Sequence, residues 1–161
     1  MDIFSIIIVA VLFGSFIVPL VWVSMAKKAK EKKRLLALSQ FAESHKGKIS
    51  EYDLWKDRAI GIDKDQHLLF FIRNHSGKEQ KTALRLTDIS KCKTASKTKP
   101  GQHTGYDHLD LVLVHRENGD QETKLNFYNS ETDSLTLTGE LQLIEKWGKI
   151  ANEELARTNH R

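Results

Sequence analysis

HLDLVLVHRENGDQETKLNFYN, residues 108–129, is the stretch on which the fold turns. Leu109, Leu111 and Leu113 alternate with other residues on one arm, and Leu125 and Phe127 do so on the other. Between them stand Asn118 and Gly119, the residue pair that best tolerates the positive backbone angles of a tight hairpin turn. Two alternating arms around such a pair predict an antiparallel β-hairpin with one face turned to a core.

Strand-like runs continue upstream. KISEYDLW (48–55) has Ile49, Tyr52 and Trp55 as packing residues, and RAIGID (58–63), KDQ and HLLFFIRN (67–74) read as a second hairpin rich in Ile, Leu and Phe. NHSGKEQ is a polar turn. KTALRLTDISKCKTAS (81–96) supplies two further strands with a bend near Thr87 and Asp88, and KTKPGQHTGYD (97–107) is a loop marked by Pro-Gly. Downstream, ELQLIEKWGKIANEELA (140–156) places Leu141, Ile144, Trp147, Ala151 and Leu155 on one helical face, with Thr138 as the expected N-cap. Seven strands followed by one amphipathic helix are expected.

The N-terminal quarter is different. Residues 3–25, IFSIIIVAVLFGSFIVPLVWVSM, carry no charge, and about 20 apolar residues suffice to span a bilayer. Lys27, Lys28, Lys30, Lys32, Lys33 and Arg34 follow at once, relieved only by Glu31. A cleaved signal would put its positive charge before the apolar run, so this order predicts a retained transmembrane anchor at 1–26. The basic collar would hold the C-terminal bulk in the cytoplasm at the inner membrane, with the N-terminus outside, and would attract anionic lipid headgroups. Leu35, Leu38 and Phe41 or Leu36 recur at helical spacing, so residues 27–46 read as a helical stalk ended by Gly47. One domain at 47–156 and a short tail at 157–161 complete the division.

The net charge of +4 does not describe that domain. The collar at 27–34 holds six positive residues and one negative, and the rest of the chain balances at −1. This distribution counts against a nucleic-acid partner, whose site would need cations on the folded part. Within the domain, residues 78–99 carry seven cations against Glu79 and Asp88, whereas 107–133 carry seven acids against Arg116 and Lys124. That polarity points the lysine-rich segment, with Lys91, Lys93, Lys97 and Lys99, at an anionic lipid surface or an acidic partner.

Signatures of catalysis are absent from the sequence: there is no phosphate loop, nucleophile elbow or HExxH pair. His103, Asp107 and His108 cluster in a glycine-containing loop and read as solvated residues, so no metal or other cofactor is expected. Cys92 follows the expected bend and lies between Lys91 and Lys93, cations of the kind that lower a thiol's pKa. The plainer reading is a half-buried strand cysteine without an identifiable base. Trp55 and Trp147 read as core aromatics.

The succession WKDRAIGIDKDQHLLFFI, LRLTDISKCK, a long Asn-Gly hairpin and a Trp-bearing final helix resembles small bacterial pleckstrin-homology-like domains tethered to membranes. The resemblance covers roughly residues 47–156 and rests on the order and spacing of elements. It implies a seven-stranded split barrel closed by a C-terminal helix. Phosphoinositide-binding members use a basic cluster between the first two strands. Lys56 and Arg58 occupy that place here, with Asp57 between them and nothing further to complete the set. The expected function is a non-catalytic adaptor presenting the domain to a protein partner, and the alternative is an anionic-lipid sensor using Lys56, Arg58 and the 78–99 lysines.

Overall fold

The computed structural model describes residues 27–98, 105–117, 119, 121–133 and 137–159. Helix α1 occupies 27–44, followed by strands β1 (Glu51–Trp55), β2 (Arg58–Asp63), β3 (Leu68–His75) and β4 (Lys78–Arg85). A single 3-10 turn (Leu86–Asp88) leads to β5 (Ile89–Thr98), β6 (Tyr106–His115), β7 (Glu122–Asn129) and helix α2 (Glu140–Asn159). The strands form two antiparallel sheets, β1-β2-β3-β4 and β5-β6-β7.

Each hairpin follows from local chemistry. Ser76 and Gly77 both have positive φ in the two-residue turn between β3 and β4, the geometry that matches strand twist. At the β2–β3 turn, Asp63 accepts the N–H groups of Asp65 and Gln66 at 2.9 and 3.0 Å, and that of Lys48 at 2.6 Å. A short polar side chain thus satisfies three backbone donors that no strand can reach. The β6–β7 pairing runs from His108↔Asn129 to Val114↔Glu122, as the alternation predicts. Asn118 itself lies outside the described residues.

The main core lies between the sheets and α2. Ile60, Ile62, Leu69 and Phe71 from the first sheet meet Leu109, Leu111, Leu125 and Phe127 from the second, and Trp147, Ile144, Ala151 and Leu155 of α2 close it. Asp53 on β1 accepts hydrogen bonds from Trp147 Nε1 at 2.8 Å and Lys146 Nζ at 2.7 Å, which fix α2 against the first sheet.

A second, smaller core lies on the opposite face of the first sheet. Leu38 and Ala42 of α1 pack on Ala59, Leu68, Phe70 and Ile72, with Phe41, Ile49 and Leu54 around them. All six residues of β2 are therefore buried, Ala59, Gly61 and Asp63 on one face and Arg58, Ile60 and Ile62 on the other. Gly61 makes the close approach possible, because a Cβ there would stand 3.0 Å from both Leu38 Cδ2 and Ile49 Cδ1. Residues 35–44 are thus part of the domain and not a free stalk.

This docking corrects the expected fold class. No helix among the described residues is long and apolar enough to cross a membrane. α1 packs Ala37, Leu38, Phe41 and Ala42 on the sheet, and its first half carries the six cations of the collar. The span expected at 3–25 lies outside the described residues. The single-pass reading, and with it the placement in an inner membrane with a cytoplasmic domain, is withdrawn. What the described chain forms is an α+β domain of two antiparallel sheets and two helices.

Candidate functional site

The two residues expected to reach a ligand between β1 and β2 are both committed internally. Arg58 is fully buried, and its guanidinium is enclosed by acceptors. Nε donates to the Asn126 carbonyl at 2.8 Å, and the terminal nitrogens reach Asp57 at 2.5 Å, Asn126 Oδ1 at 2.9 Å and Asp133 at 3.0 and 3.2 Å. Burial works to raise the Asp133 pKa, but the Asn129 N–H and the Arg58 guanidinium together hold it below the usual carboxylate value. Lys56 sits at φ +42°, 2.7 Å from Glu140 Oε1 and over the Tyr128 ring. Glu140 shows the same balance: burial raises its pKa, and the Lys56 and Thr138 hydrogen bonds more than offset it. Arg58 fastens the first sheet to β7, and Lys56 fastens the β1–β2 turn to α2.

Among the described residues no three His, Cys, Asp or Glu side chains converge on a metal position. His103 lies outside them. Ser130, Asp107 and His108 do come together, but Asp107 stands in the middle, accepting from Ser130 Oγ at 2.5 Å with His108 Nε2 at 3.5 Å. In a Ser-His-Asp triad the imidazole stands next to the hydroxyl, so this order is not that of a triad. Cys92 is buried in the main core while Lys91 and Lys93 are exposed on the other face of β5. Burial pushes its thiol up to about 12, opposite to the effect that neighbouring lysines would have in a shared environment.

Several of the charged groups behind the predicted polarity have partners within the domain. Glu122 takes Lys93 at 2.6 Å and lies 4.0 Å from Lys124. Asp110 accepts from Asn126, Asp107 from Ser130, and Asp133 from Arg58. On the basic side Lys81 pairs with Glu79 at 2.9 Å and lies over Phe41. Lys99 lies outside the described residues. Lys27, Lys28, Lys30, Lys32 and Lys33 are exposed along the first half of α1, and Arg34 lines a groove of about 300 Å³ with Ala37, Asp57, Ala59, Ile72 and Asn74. On β5, Lys91 and Lys97 are exposed and form no ion pair among the described residues.

Among the described residues, these two lysines flank an open strand edge. His115 donates its N–H to Gln121, so it faces β7, and the β6 residues facing β5 are those of the other parity, Val114, Val112 and Asp110. Their partners Lys91, Lys93 and Ala95 spend their backbone groups inside the β5–β6 ladder. Cys92, Thr94 and Ser96 consequently turn theirs outward. Asn152 of α2 agrees with that parity, donating to the Cys92 carbonyl at 3.1 Å. Thr94 and Ser96 are exposed. α2 comes close enough to flank this edge because Gly148 has no side chain: a Cβ there would be 3.3 Å from Thr94 Cγ2. By contrast, the edge of β7 is closed by side-chain donors, Trp55 Nε1 on the Phe127 carbonyl at 3.1 Å and Arg58 Nε on that of Asn126.

Sequence reading singled out the β5 lysines but not Thr94 and Ser96, whose importance depends on a parity set by β6 and β7. No protein-family model, no curated protein and no solved structure matches this chain.

Proposed function

We propose that the chain is a non-catalytic binding module of pleckstrin-homology-like architecture that takes up a segment of another protein by strand addition at β5. The observation that carries this reading is the open edge at Thr94 and Ser96. Exposed pairs of backbone N–H and C=O groups form a ready template for another strand, and main-chain hydrogen bonds then supply affinity. The arrangement of four strands, three strands and a final helix supports the architecture. Of the edges of the first sheet, β4 is a poorer template, because its Lys81 is drawn across Phe41 of α1 and paired along its own strand.

The test is a pair of proline variants in the full chain. Proline removes a backbone N–H, which at Thr94 points outward and at Ala95 lies in the ladder. Thr94→Pro is expected to keep the native circular dichroism and lose partners captured by the wild type. Ala95→Pro is expected to damage the sheet itself. Capture that survives Thr94→Pro unchanged would refute strand addition at this edge.

A further inference from the structure

Resting on that reading, we infer that the segment taken up by β5 is acidic, with carboxylates on one face opposite Lys91, Lys93 and Lys97, and that the same lysines prevent a second copy of this chain from taking its place. The side chains of Cys92 and Thr94 face the core side, where Cys92 is buried and Thr94 meets α2. Lys91, Lys93 and Lys97 therefore share the outer face with Ala95, following the two-residue period of a strand.

In an added antiparallel strand, residues opposite Lys91, Lys93, Ala95 and Lys97 would occupy non-hydrogen-bonded positions. There Cα atoms approach to about 4.5 Å and side chains meet most closely. Opposite charges in such pairs stabilise, and like charges directly opposite destabilise. The matching segment, read along the partner in its own direction from the residue opposite Lys97 to that opposite Lys91, carries an acid, any residue, an uncharged residue, any residue, an acid, any residue and an acid. Lys91 and Lys97 are the principal contacts, since Lys93 already shares Glu122.

Self-pairing is disfavoured by the same layout. Two β5 edges brought together antiparallel set one lysine row against the other, and lysine on an exposed edge is a common device against such association. The edge is thus selective: closed to its own kind and open to carboxylates. The acidic residues of β6 and β7 are engaged elsewhere, Asp110 with Asn126, Asp107 with Ser130 and Glu122 with Lys93.

The experiment uses the full chain and three synthetic peptides of one length: one alternating Glu with Val or Thr in the pattern above, one with Gln for each Glu, and one with Lys for each Glu. Binding is read by residue-resolved amide exchange at 92–97. The Glu peptide is expected to protect Thr94 and Ser96 and to bind on the order of tenfold more tightly than the Gln peptide, with the Lys peptide not binding. The double variant K91E/K97E is expected to reverse the order of preference, and Thr94→Pro to abolish all binding. Equal binding of the Glu and Gln peptides, both lost in Thr94→Pro, would overturn the acidic specificity and leave strand addition standing. Binding of the Glu peptide that is indifferent to Thr94→Pro would identify a diffuse charge effect and overturn both. Concentration-dependent dimerisation lost in Thr94→Pro would show that the edge accepts its own copy, against the inference.

Discussion

Asn152 of α2 donates its side-chain amide to the backbone carbonyl of Cys92 at 3.1 Å, standing where the N–H of a neighbouring strand would stand. The helix occupies one position of the β5 edge, and among the described residues Thr94 and Ser96 have no such cap. The same helix is held from the other side by Asp53, through Lys146 and Trp147. A fixed α2 beside a partly capped edge is a rigid frame for an incoming strand, which reduces the ordering cost of binding.

Arg58 is expected to be the most sensitive polar position in the fold. Removing a buried charge partner leaves Asp133 uncompensated at 5% side-chain exposure, and such losses typically cost about 3–5 kcal/mol. Arg58→Ala is therefore predicted to lower the unfolding free energy by roughly that amount in urea titration. A change below about 1 kcal/mol would mean that solvent replaces the guanidinium at little cost.

The docking of α1 depends on the bare backbone of Gly61. Gly61→Val would thrust a branched side chain against Leu38 and Ile49. Overpacking of this kind costs about 1–3 kcal/mol, so the variant is predicted to be destabilised and to exchange its amides at 35–44 faster. Leu38→Ala should loosen the same helix by leaving a void, at a cost of about 2–5 kcal/mol.

Much of this architecture was legible in advance, because alternation along 108–129 and helical spacing along 140–156 are local signals. The fate of Arg58 was not, since its partners Asn126 and Asp133 lie 68 and 75 residues further along the chain. RAIGID and HLLFFI did contain a sign that α1 would dock: they are apolar without alternation, the mark of strands covered on both faces. Leu38 stood out at helical spacing, but nothing local shows that its partners are Ala59, Phe70 and Ile72 of the sheet. The open edge had no sequence signal, because which residues of β5 face outward is decided by hydrogen bonds two strands away.

Cys92 should be inert in the native protein. With its thiol pushed up to about 12 by burial, almost none is thiolate at neutral pH. A maleimide or aromatic disulfide reagent is predicted to label it only when denaturant opens the core. Rapid native labelling would show that the β5–α2 seam breathes.

Acid should weaken the fold through Asp63. Burial opposes its ionisation, but the N–H groups of Lys48, Gln66 and Asp65 outweigh that and lower its pKa below the ordinary 3.8. A lowered folded pKa contributes stability that is fully present above the ordinary value and lost as pH falls through the lowered one. Asp63→Asn is accordingly predicted to lie furthest below wild type in unfolding free energy near neutrality, with the gap closing below about pH 4. A gap independent of pH would assign the loss to packing instead.

The most direct measurement is residue-resolved amide exchange along β5 in the free, full-length chain. The account predicts a two-residue rhythm, with Lys93 and Ala95 protected by the β6 ladder and Thr94 and Ser96 exchanging close to the rate of an unstructured peptide. Equal protection at all four would mean that the edge is already covered, which would contradict strand addition at β5.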